Sequence, residues 1–510
     1  MPSAESTRLI VPLTATSVGE MCAQARRAQD ARADAVEFRV DFLPALPAES
    51  ELAEMIASTG DMETIVTCRP LREGGRCGAP DAHRLAMLTA ALAAGATWVD
   101  VELDTAPALR PTPERTILSH HDFDRCPPDL DAIAARLQDA PAAVAKIAFA
   151  PAGPHEALRA LDVLRSATKP TIALAMGEAG LLTRLAARKF GAFGTFATLD
   201  RRSESAPGQP TVEQLRDLYR WDAVTSDTPL LGVVGCPVGH SMSPAIHNAA
   251  MDAAGCDGLY VPLRVEPGWE AFAAWMHAVD QRPWLNWRGL SVTIPHKENA
   301  LRYIGADHCD PLAVRIGAVN TVTYEDDGSL RGDNTDYAAA IDALCEAMDI
   351  SREQLAGRSV AVLGAGGAAR ALVAALTHYG AEVTVANRTI ERARSLAEEF
   401  GASPAPLEPG AVAHAEVLIN CTPLGMHPKV DAGPIPAIPS STRVVFDTIY
   451  NPVRTKLLRL AEEAGATTVT GVAMFVGQGA EQFERWMPCP APRDVMKRVL
   501  LNQLGVQSNG

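Results

Sequence analysis

The sequence predicts an α/β protein: a closed barrel of eight β/α units, then a two-lobed α/β half with one dinucleotide-binding lobe. Three observations carry this. Eight short apolar runs, most of them separated by an amphipathic stretch, lie between Leu9 and about Ala197. An apolar strand, a glycine-rich turn and a helix succeed one another around Gly364. The 510 residues, 47% hydrophobic and 21% charged, have the balance of a soluble globular chain of about three folding units.

Composition excludes several partners. Lys+Arg is 46 and Asp+Glu is 61, a formal charge of −15 that makes the chain a poor binder of nucleic acid or anionic membrane. No apolar run approaches the ~18–20 residues that span a bilayer. The start, MPSAESTRLIVPL, lacks the basic flank and long apolar core of a leader, so a cytoplasmic location is expected. The 10 cysteines include no C-x-x-C pair, which fits free thiols in a reducing compartment better than a disulfide or zinc framework.

The eight runs are RLIVPL (8–13), DAVEFRV (34–40), ETIVTCR (63–69), TWVDVEL (97–103), RTILSHH (115–121), AVAKIAF (143–149), TIALAM (171–176) and GAFGTFA (191–197). Helical stretches are expected over 19–33, 82–94, 130–138, 155–167 and 180–189. Strands alternating with helices imply parallel β/α units. An open doubly wound sheet satisfies the same alternation, but eight units in so short a length favour closure. The barrel domain is expected over 1–224.

Barrel sites form at the C-terminal strand ends. Glu37, Arg39, Arg69, Glu102, His120, His121, Lys146, Met176 and Gly177 sit at or near those ends. Only seven of the basic residues are lysines: 146, 169, 189, 297, 429, 456 and 497. A lysine inside an apolar strand of a chain that otherwise prefers arginine is suspicious, because lysine can shed its proton and act as a nucleophile. Burial and nearby cations such as Arg39, Arg69 or Arg184 are expected to favour the free amine of Lys146. A lysine snorkelling to the barrel rim is the structural alternative. Neighbouring strand residues face opposite ways, so strand geometry leaves open whether His120 or His121 points inward.

Glu37-Phe38-Arg39-Val40-Asp41, Arg69 with Glu73-Gly74-Gly75, Ser119-His120-His121-Asp122-Phe123, Lys146-Ile147-Ala148 and Ser205-Ala206-Pro207-Gly208-Gln209 together resemble type I 3-dehydroquinate dehydratase. The resemblance covers about residues 7–222. It implies that Lys146 forms an imine with the substrate ketone, that His121 removes the adjacent proton, and that Glu73 orients His121. It also implies that Glu37, Arg39, Arg69, Arg184, Ser205 and Gln209 hold hydroxyls and carboxylate.

A short polar stretch, 222–229, reads as a linker, and a new strand begins at Leu230. The strand 358–363 leads into Gly364-Ala365-Gly366-Gly367-Ala368-Ala369, a G-x-G-x-x-A turn, and a helix to about His378. Such glycines admit a tight turn and a pyrophosphate at the helix N-terminus. The next strand ends in Asn387-Arg388-Thr389, with Arg392 beyond, where an NAD-binding unit normally places an acidic residue. Two cations suit a 2′-phosphate, so NADP is expected. Solvated arginines at a helix start are the structural alternative.

Lys297 follows Ser291-Val292-Thr293-Ile294-Pro295-His296, and Asp336 closes Gly332-Asp333-Asn334-Thr335-Asp336. A lysine and an aspartate on separate loops can serve as an acid–base pair, or be an ordinary surface ion pair. These segments, with Gly239-His240-Ser241-Met242-Ser243-Pro244, Gly317-Ala318-Val319-Asn320-Thr321, Asn420-Cys421-Thr422-Pro423-Leu424-Gly425-Met426, and Gly471 with Gln478, resemble shikimate dehydrogenase over about 230–500. The resemblance implies Lys297 and Asp336 as the catalytic pair and Ser241, Ser243, Thr293, Asn320 and Gln478 as substrate ligands. Tyr450 is implied between substrate and nicotinamide. Gly364, Ala365, Gly366, Gly367, Ala368, Asn387, Arg388, Thr389, Arg392, Thr422, Met426, Gly471 and Met474 are implied at the cofactor. The substrate lobe is expected over 229–331, completed by 475–510, and the Rossmann lobe over 332–474. Tyr337 departs from the glycine many relatives carry there, and would crowd the entrance or add a hydroxyl contact.

The combined resemblance implies a fused enzyme that dehydrates 3-dehydroquinate and reduces the product to shikimate with NADPH, without a metal. A quinate/shikimate dehydrogenase of shifted specificity and a non-catalytic pathway regulator are the alternatives. The latter should have lost the catalytic groups.

Overall fold

The computed structural model describes residues 7–200 and 208–506. The described residues fall into two compact units, one within 1–241 and 257–287, the other within 242–256 and 288–510.

In the first unit eight parallel strands run β1 (Arg8–Leu13), β2 (Ala35–Arg39), β3 (Glu63–Thr67), β4 (Trp98–Glu102), β5 (Thr116–Asp122), β6 (Val144–Phe149), β7 (Thr171–Ala175) and β8 (Gly194–Phe196). They follow the spatial order β7-β6-β5-β4-β3-β2-β1-β8. The Phe193 amide donates to the Thr171 carbonyl at 2.8 Å and joins the last strand to β7, closing the barrel. The crossovers carry α1 (Val18–Asp30), α2 (Glu49–Ala57), α3 (Asp81–Ala93), α4 (Leu130–Asp139), α5 (Pro154–Ser166) and α6 (Leu181–Leu185). The helix expected over 180–189 is therefore only α6, five residues long.

Strand periodicity explains what the barrel encloses. Every second residue faces inward. Ile10, Ala35, Ile65, Ile117, Val144 and Ile172 form an apolar layer. Two residues further along their strands come Glu37, Thr67, Ser119 and Lys146, all buried. The barrel is oil at one end and charge at the other.

The second half begins with β9 (Leu230–Gly235), α7 (Ser243–Ala254), β10 (Leu259–Arg264) and α8 (Trp269–Asp280). Of these, β9, β10 and α8 belong to the first unit, where β9 and β10 pair in parallel. The second unit contains α7. It also holds an antiparallel trio, β11 (Trp287–Val292), β12 (Thr321–Tyr324) and β13 (Leu330–Asp333), with α9 (Lys297–Ile304) and α10 (Pro311–Ile316) between the first two strands. The lobe boundary expected at 331/332 falls inside β13. After α11 (Thr335–Met348) comes a six-stranded parallel sheet. It comprises β14 (Ser359–Leu363), β15 (Glu382–Asn387), β16 (Ser403–Pro406), β17 (Val417–Asn420), β18 (Val444–Asp447) and β19 (Thr467–Val469). Its helices are α12 (Gly367–His378), α13 (Ile390–Phe400) and α14 (Lys456–Glu463). The spatial order β16-β15-β14-β17-β18-β19 reverses direction between β14 and β17, the crevice where doubly wound sheets bind dinucleotides. The chain ends with α15 (Gly471–Trp486) and α16 (Arg493–Gln503). Among the described residues no helix is long and apolar enough to cross a membrane.

Cys256 and Cys489 are joined as a disulfide across 233 residues, where free thiols were expected; the other eight cysteines are free. The pairing is non-local, so no spacing in the sequence announces it.

Candidate active sites

In the barrel, Lys146 stands on β6 and is 5% exposed. Its ammonium donates to Asp100 Oδ2 at 2.8 Å and to Glu37 Oε1 at 3.3 Å, and lies 4.5 Å from the Phe196 ring centroid. The nearest charged partners of Lys146 are thus carboxylates. The cations expected nearby, Arg39, Arg69 or Arg184, are not its direct partners. Arg69 is one step further out: its guanidinium donates to Asp100 at 2.7 Å, to Glu102 at 2.7 Å and to Ser119 at 2.9 Å. Buried charges are costly unless paired, and the pairing here is mutual. Burial opposes ionisation of Asp100, but Arg69 and Lys146 outweigh it and hold its carboxyl well below the usual range.

The histidine alternative is settled by register. Ser119 donates into the barrel interior, to Asp100 at 2.6 Å, and His121, two residues on, shares that face. His121 Nδ1 lies 3.0 Å from Glu73 Oε2. Burial, with Arg69 and Lys146 adding to it, pushes the His121 pKa well below its ordinary value, so the ring is neutral near pH 7. Burial raises Glu73 to about 7, against Arg69 and with Glu102 and Asp100. A neutral imidazole held by a carboxyl group is a base ready to accept a proton.

Arg39 is clamped by Asp41 through two hydrogen bonds of 2.9 and 3.0 Å. Glu37 accepts from Thr67 at 2.8 Å. Arg184 is buried on α6, and Gln209 is buried just after Gly208. Gly208 has φ +74°, and a Cβ there would come within 2.8 Å of the Gly177 carbonyl carbon, so only glycine fits at this position. Ser205 lies outside the described residues. A cavity of about 390 Å³ opens beyond β5, β6 and β7, lined by Phe123, Pro151, Met176, Gly177, Glu178 and Arg264 among others.

In the second unit Lys297 opens α9 and its ammonium donates to Asp336 Oδ2. Asp336 sits in the first turn of α11, whose N-cap Asn334 accepts from the Asp336 and Tyr337 amides at 3.1 and 3.4 Å. Asn320 braces the same helix start: its Oδ1 accepts from the Thr335 amide at 2.8 Å and its Nδ2 donates to Thr335 Oγ1 at 3.1 Å. Gln482, which sequence reasoning missed, donates to the Asn320 carbonyl at 3.2 Å and accepts from Ser291 at 2.7 Å. Its signal was available, one helical turn beyond Gln478 on the same face. Gln478 donates to the Phe475 carbonyl at 3.0 Å. Ser243 opens α7, and Thr293 follows β11; Ser241 belongs to the first unit. Tyr337 resolves plainly: its hydroxyl donates to Asp310 at 3.1 Å, at the N-cap of α10, which ties two helices together.

The parallel sheet provides a cradle that fits a dinucleotide. Gly364 has φ +113°, and a Cβ there would approach the Cys421 backbone at 3.1 Å. Gly366 and Gly367 open α12 onto free space. Ala365 packs against the core and Ala368 is exposed. Arg388 and Arg392 are exposed, and among the described residues neither has a carboxylate partner. Asn387 donates to the Thr389 carbonyl at 2.9 Å. Across the crevice, Asn420 accepts from the Thr422 amide and hydroxyl at 2.9 and 2.7 Å and donates to Asp447 at 3.0 Å. Met426 is exposed. Gly471 packs so that a Cβ would meet the Ile449 backbone at 2.5 Å, next to Tyr450, whose ring lies 5.0 Å from Phe475. Met474 packs against the sheet's core.

Parts of the chain match known families. Residues 9–226 match the type I 3-dehydroquinase family, 233–322 the shikimate dehydrogenase substrate binding domain, and 471–501 the shikimate 5′-dehydrogenase C-terminal domain. Residues 359–448 match a family described as NADP oxidoreductase, coenzyme F420-dependent. Shikimate dehydrogenase (NADP(+)) of Methanosarcina acetivorans is 44% identical over 285 residues, 54% of this chain and 98% of its own. The solved shikimate 5-dehydrogenase of Thermus thermophilus is 37% identical, covering 54% of this chain and 100% of its own, with a TM-score of 0.48. The bifunctional 3-dehydroquinate dehydratase/shikimate dehydrogenase of Arabidopsis thaliana, a chloroplastic protein, is 38% identical over 515 residues, 96% of this chain and 84% of its own. The chain belongs to the bifunctional 3-dehydroquinate dehydratase/shikimate dehydrogenase family.

Proposed function

We propose that the barrel dehydrates 3-dehydroquinate to 3-dehydroshikimate and that the second half reduces this product to shikimate with NADPH. The observation that carries the reading is Lys146, buried in the barrel with neutral His121 on the neighbouring strand. Lysine ammonium and ketone give iminium and water, with one positive charge on each side. The iminium draws electrons from the adjacent C–H bond. His121 takes that proton, and the departing hydroxide leaves as water when His121 returns it; water then hydrolyses the product iminium, releasing 3-dehydroshikimate and the Lys146 ammonium. Glu73 holds the ring. Glu37, Arg39, Arg69, Arg184, Ser205 and Gln209 are the proposed substrate ligands; Arg69 also pairs with Asp100 and Glu102. The iminium supplies the electron sink, so these steps need no metal.

In the second half Lys297 donates a proton to the developing alkoxide while Asp336 positions the ammonium. Ser241, Ser243, Thr293, Asn320, Tyr450 and Gln478 are the proposed substrate contacts. NADPH, when bound, supplies the hydride. The helix start after Gly366 would hold its pyrophosphate, and Arg388 and Arg392 its 2′-phosphate. Thr422, Met426, Gly471 and Met474 complete the proposed cofactor side. We assign the activities to 1–224, 229–331 with 475–510, and 332–474. A cytoplasmic setting is the proposed location; the eight free thiols favour it and the Cys256–Cys489 bond does not.

Two variants test the reading. Lys146→Ala should lose dehydration of 3-dehydroquinate yet keep NADP-linked oxidation of shikimate. Lys297→Ala should do the reverse and let 3-dehydroshikimate accumulate. Retained dehydration in the first variant would contradict the imine, and reduction by NADH alone would contradict the cofactor assignment.

A further inference from the structure

Behind Lys146 the barrel interior contains a line of charges of alternating sign. Arg84, fully buried, pairs with Glu102 Oε2 at 2.7 Å. Glu102 Oε1 accepts from Arg69, Arg69 donates to Asp100 Oδ1, and Asp100 Oδ2 accepts from Lys146, at 2.7, 2.7 and 2.8 Å. Ser119 adds a third donor to Asp100 at 2.6 Å. The side chains of Asp100 and Glu102 have no exposed surface. A run of charges this deep is costly unless each member is held by the next. The line ends on the reacting nitrogen. Glu37, the other carboxylate near that nitrogen, is farther away at 3.3 Å and takes a neutral donor, Thr67.

We propose that Asp100 is the counter-ion of the iminium that forms on Lys146, and that Arg69, Glu102 and Arg84 fix its carboxylate in place. This rests on the imine reading above. The chemistry balances: a C–N bond forms, the ketone C–O bond breaks, and two protons from the ammonium leave with the oxygen as water. The nitrogen is cationic before and after, so one fixed anion serves ammonium and iminium alike. Only the protonated imine is a strong electron sink, and a carboxylate at hydrogen-bond distance keeps it protonated. Asp100 touches the reacting atom and is a catalytic residue in this sense. Arg69, Glu102 and Arg84 are positioning residues.

Borohydride reduces the protonated imine, so the rate at which it fixes 3-dehydroquinate onto Lys146 measures the iminium directly. That rate, read by mass spectrometry, is compared for the wild type, Asp100→Asn and Asp100→Glu. Dehydration kcat and KM are measured in parallel. NADP-linked shikimate oxidation on the same chain controls for an intact second half. The expected result for Asp100→Asn is a fixation rate down at least tenfold and a dehydration kcat down about 100-fold, with partial recovery in Asp100→Glu. A fixation rate within twofold of wild type in Asp100→Asn overturns the proposal. If the Asn barrel does not fold, Ser119→Ala decides, because it removes one donor to Asp100 and no charge. A three- to tenfold slower fixation supports the proposal, and an unchanged rate overturns it. Absence of any adduct in the wild type refutes the imine reading itself, a separate outcome.

Discussion

Both sites pair a lysine with an aspartate, yet the pairs live in different media. In the barrel the side chains of Lys146 and Asp100 are 6% and 0% exposed; in the second unit those of Lys297 and Asp336 are 31% and 21% exposed. The buried pair is one link in a line of charges and cannot be removed without stranding a neighbour, a loss on the order of 3–5 kcal/mol. The partly exposed pair has no such line behind it among the described residues and is worth on the order of 0–1 kcal/mol to the fold. The difference matches the chemistry. A covalent imine needs an amine held dry and in register with a fixed anion. A proton donor needs an ammonium free to turn from its aspartate to a substrate oxygen.

The sharpest way to break this comparison is to write arginine at each lysine. Arginine keeps the charge but cannot form an imine. Lys146→Arg is expected to lower dehydration kcat by at least about 10⁴-fold. Lys297→Arg, which keeps a cationic donor of the wrong acidity, should cost about 10²-fold in shikimate oxidation. Steady-state assays of both activities on each variant check this, and equal losses would remove the distinction between nucleophile and acid. Next in size is the cofactor. Arg388→Ala with Arg392→Ala should raise KM for NADP about 10- to 100-fold, as expected for lost charged hydrogen bonds, and leave KM for NAD nearly unchanged. The smallest effect concerns stability. Burial, with Gln482 acting against it, lowers the His247 pKa from 6.5 to about 3. The folded state keeps the ring neutral while the unfolded chain protonates it. Its contribution is therefore present above about pH 6.5 and lost as pH falls toward about 3. Between neutral pH and about 4.5, Tm of the wild type should fall a few degrees more than that of His247→Gln, measured by calorimetry.

Much of this was legible in the sequence because it is local. All eight barrel strands coincide with apolar runs, and the glycine turn sits between β14 and α12 as strand–turn–helix spacing predicts. Lys146 stood out because lysine is rare in this chain. Asp100 did not, although it lies in the run TWVDVEL. A charge on a strand's inward face makes sense only with its partners. Arg69 lies 31 residues away and Lys146 lies 46 away, so pattern alone could not supply them. The same distance problem hid the carboxylate partners of Lys146 and the Cys256–Cys489 bond. Inward register at His121 also needed the structure, because two adjacent histidines look alike until Ser119 shows which face is inside.

The most direct measurement gives the intact protein 3-dehydroquinate and NADPH and follows both nucleotide and products. Both sites acting in sequence on one chain predicts one NADPH oxidised per 3-dehydroquinate consumed, with shikimate as the final product. Consumption of 3-dehydroquinate without loss of NADPH, or no consumption at all, would contradict it.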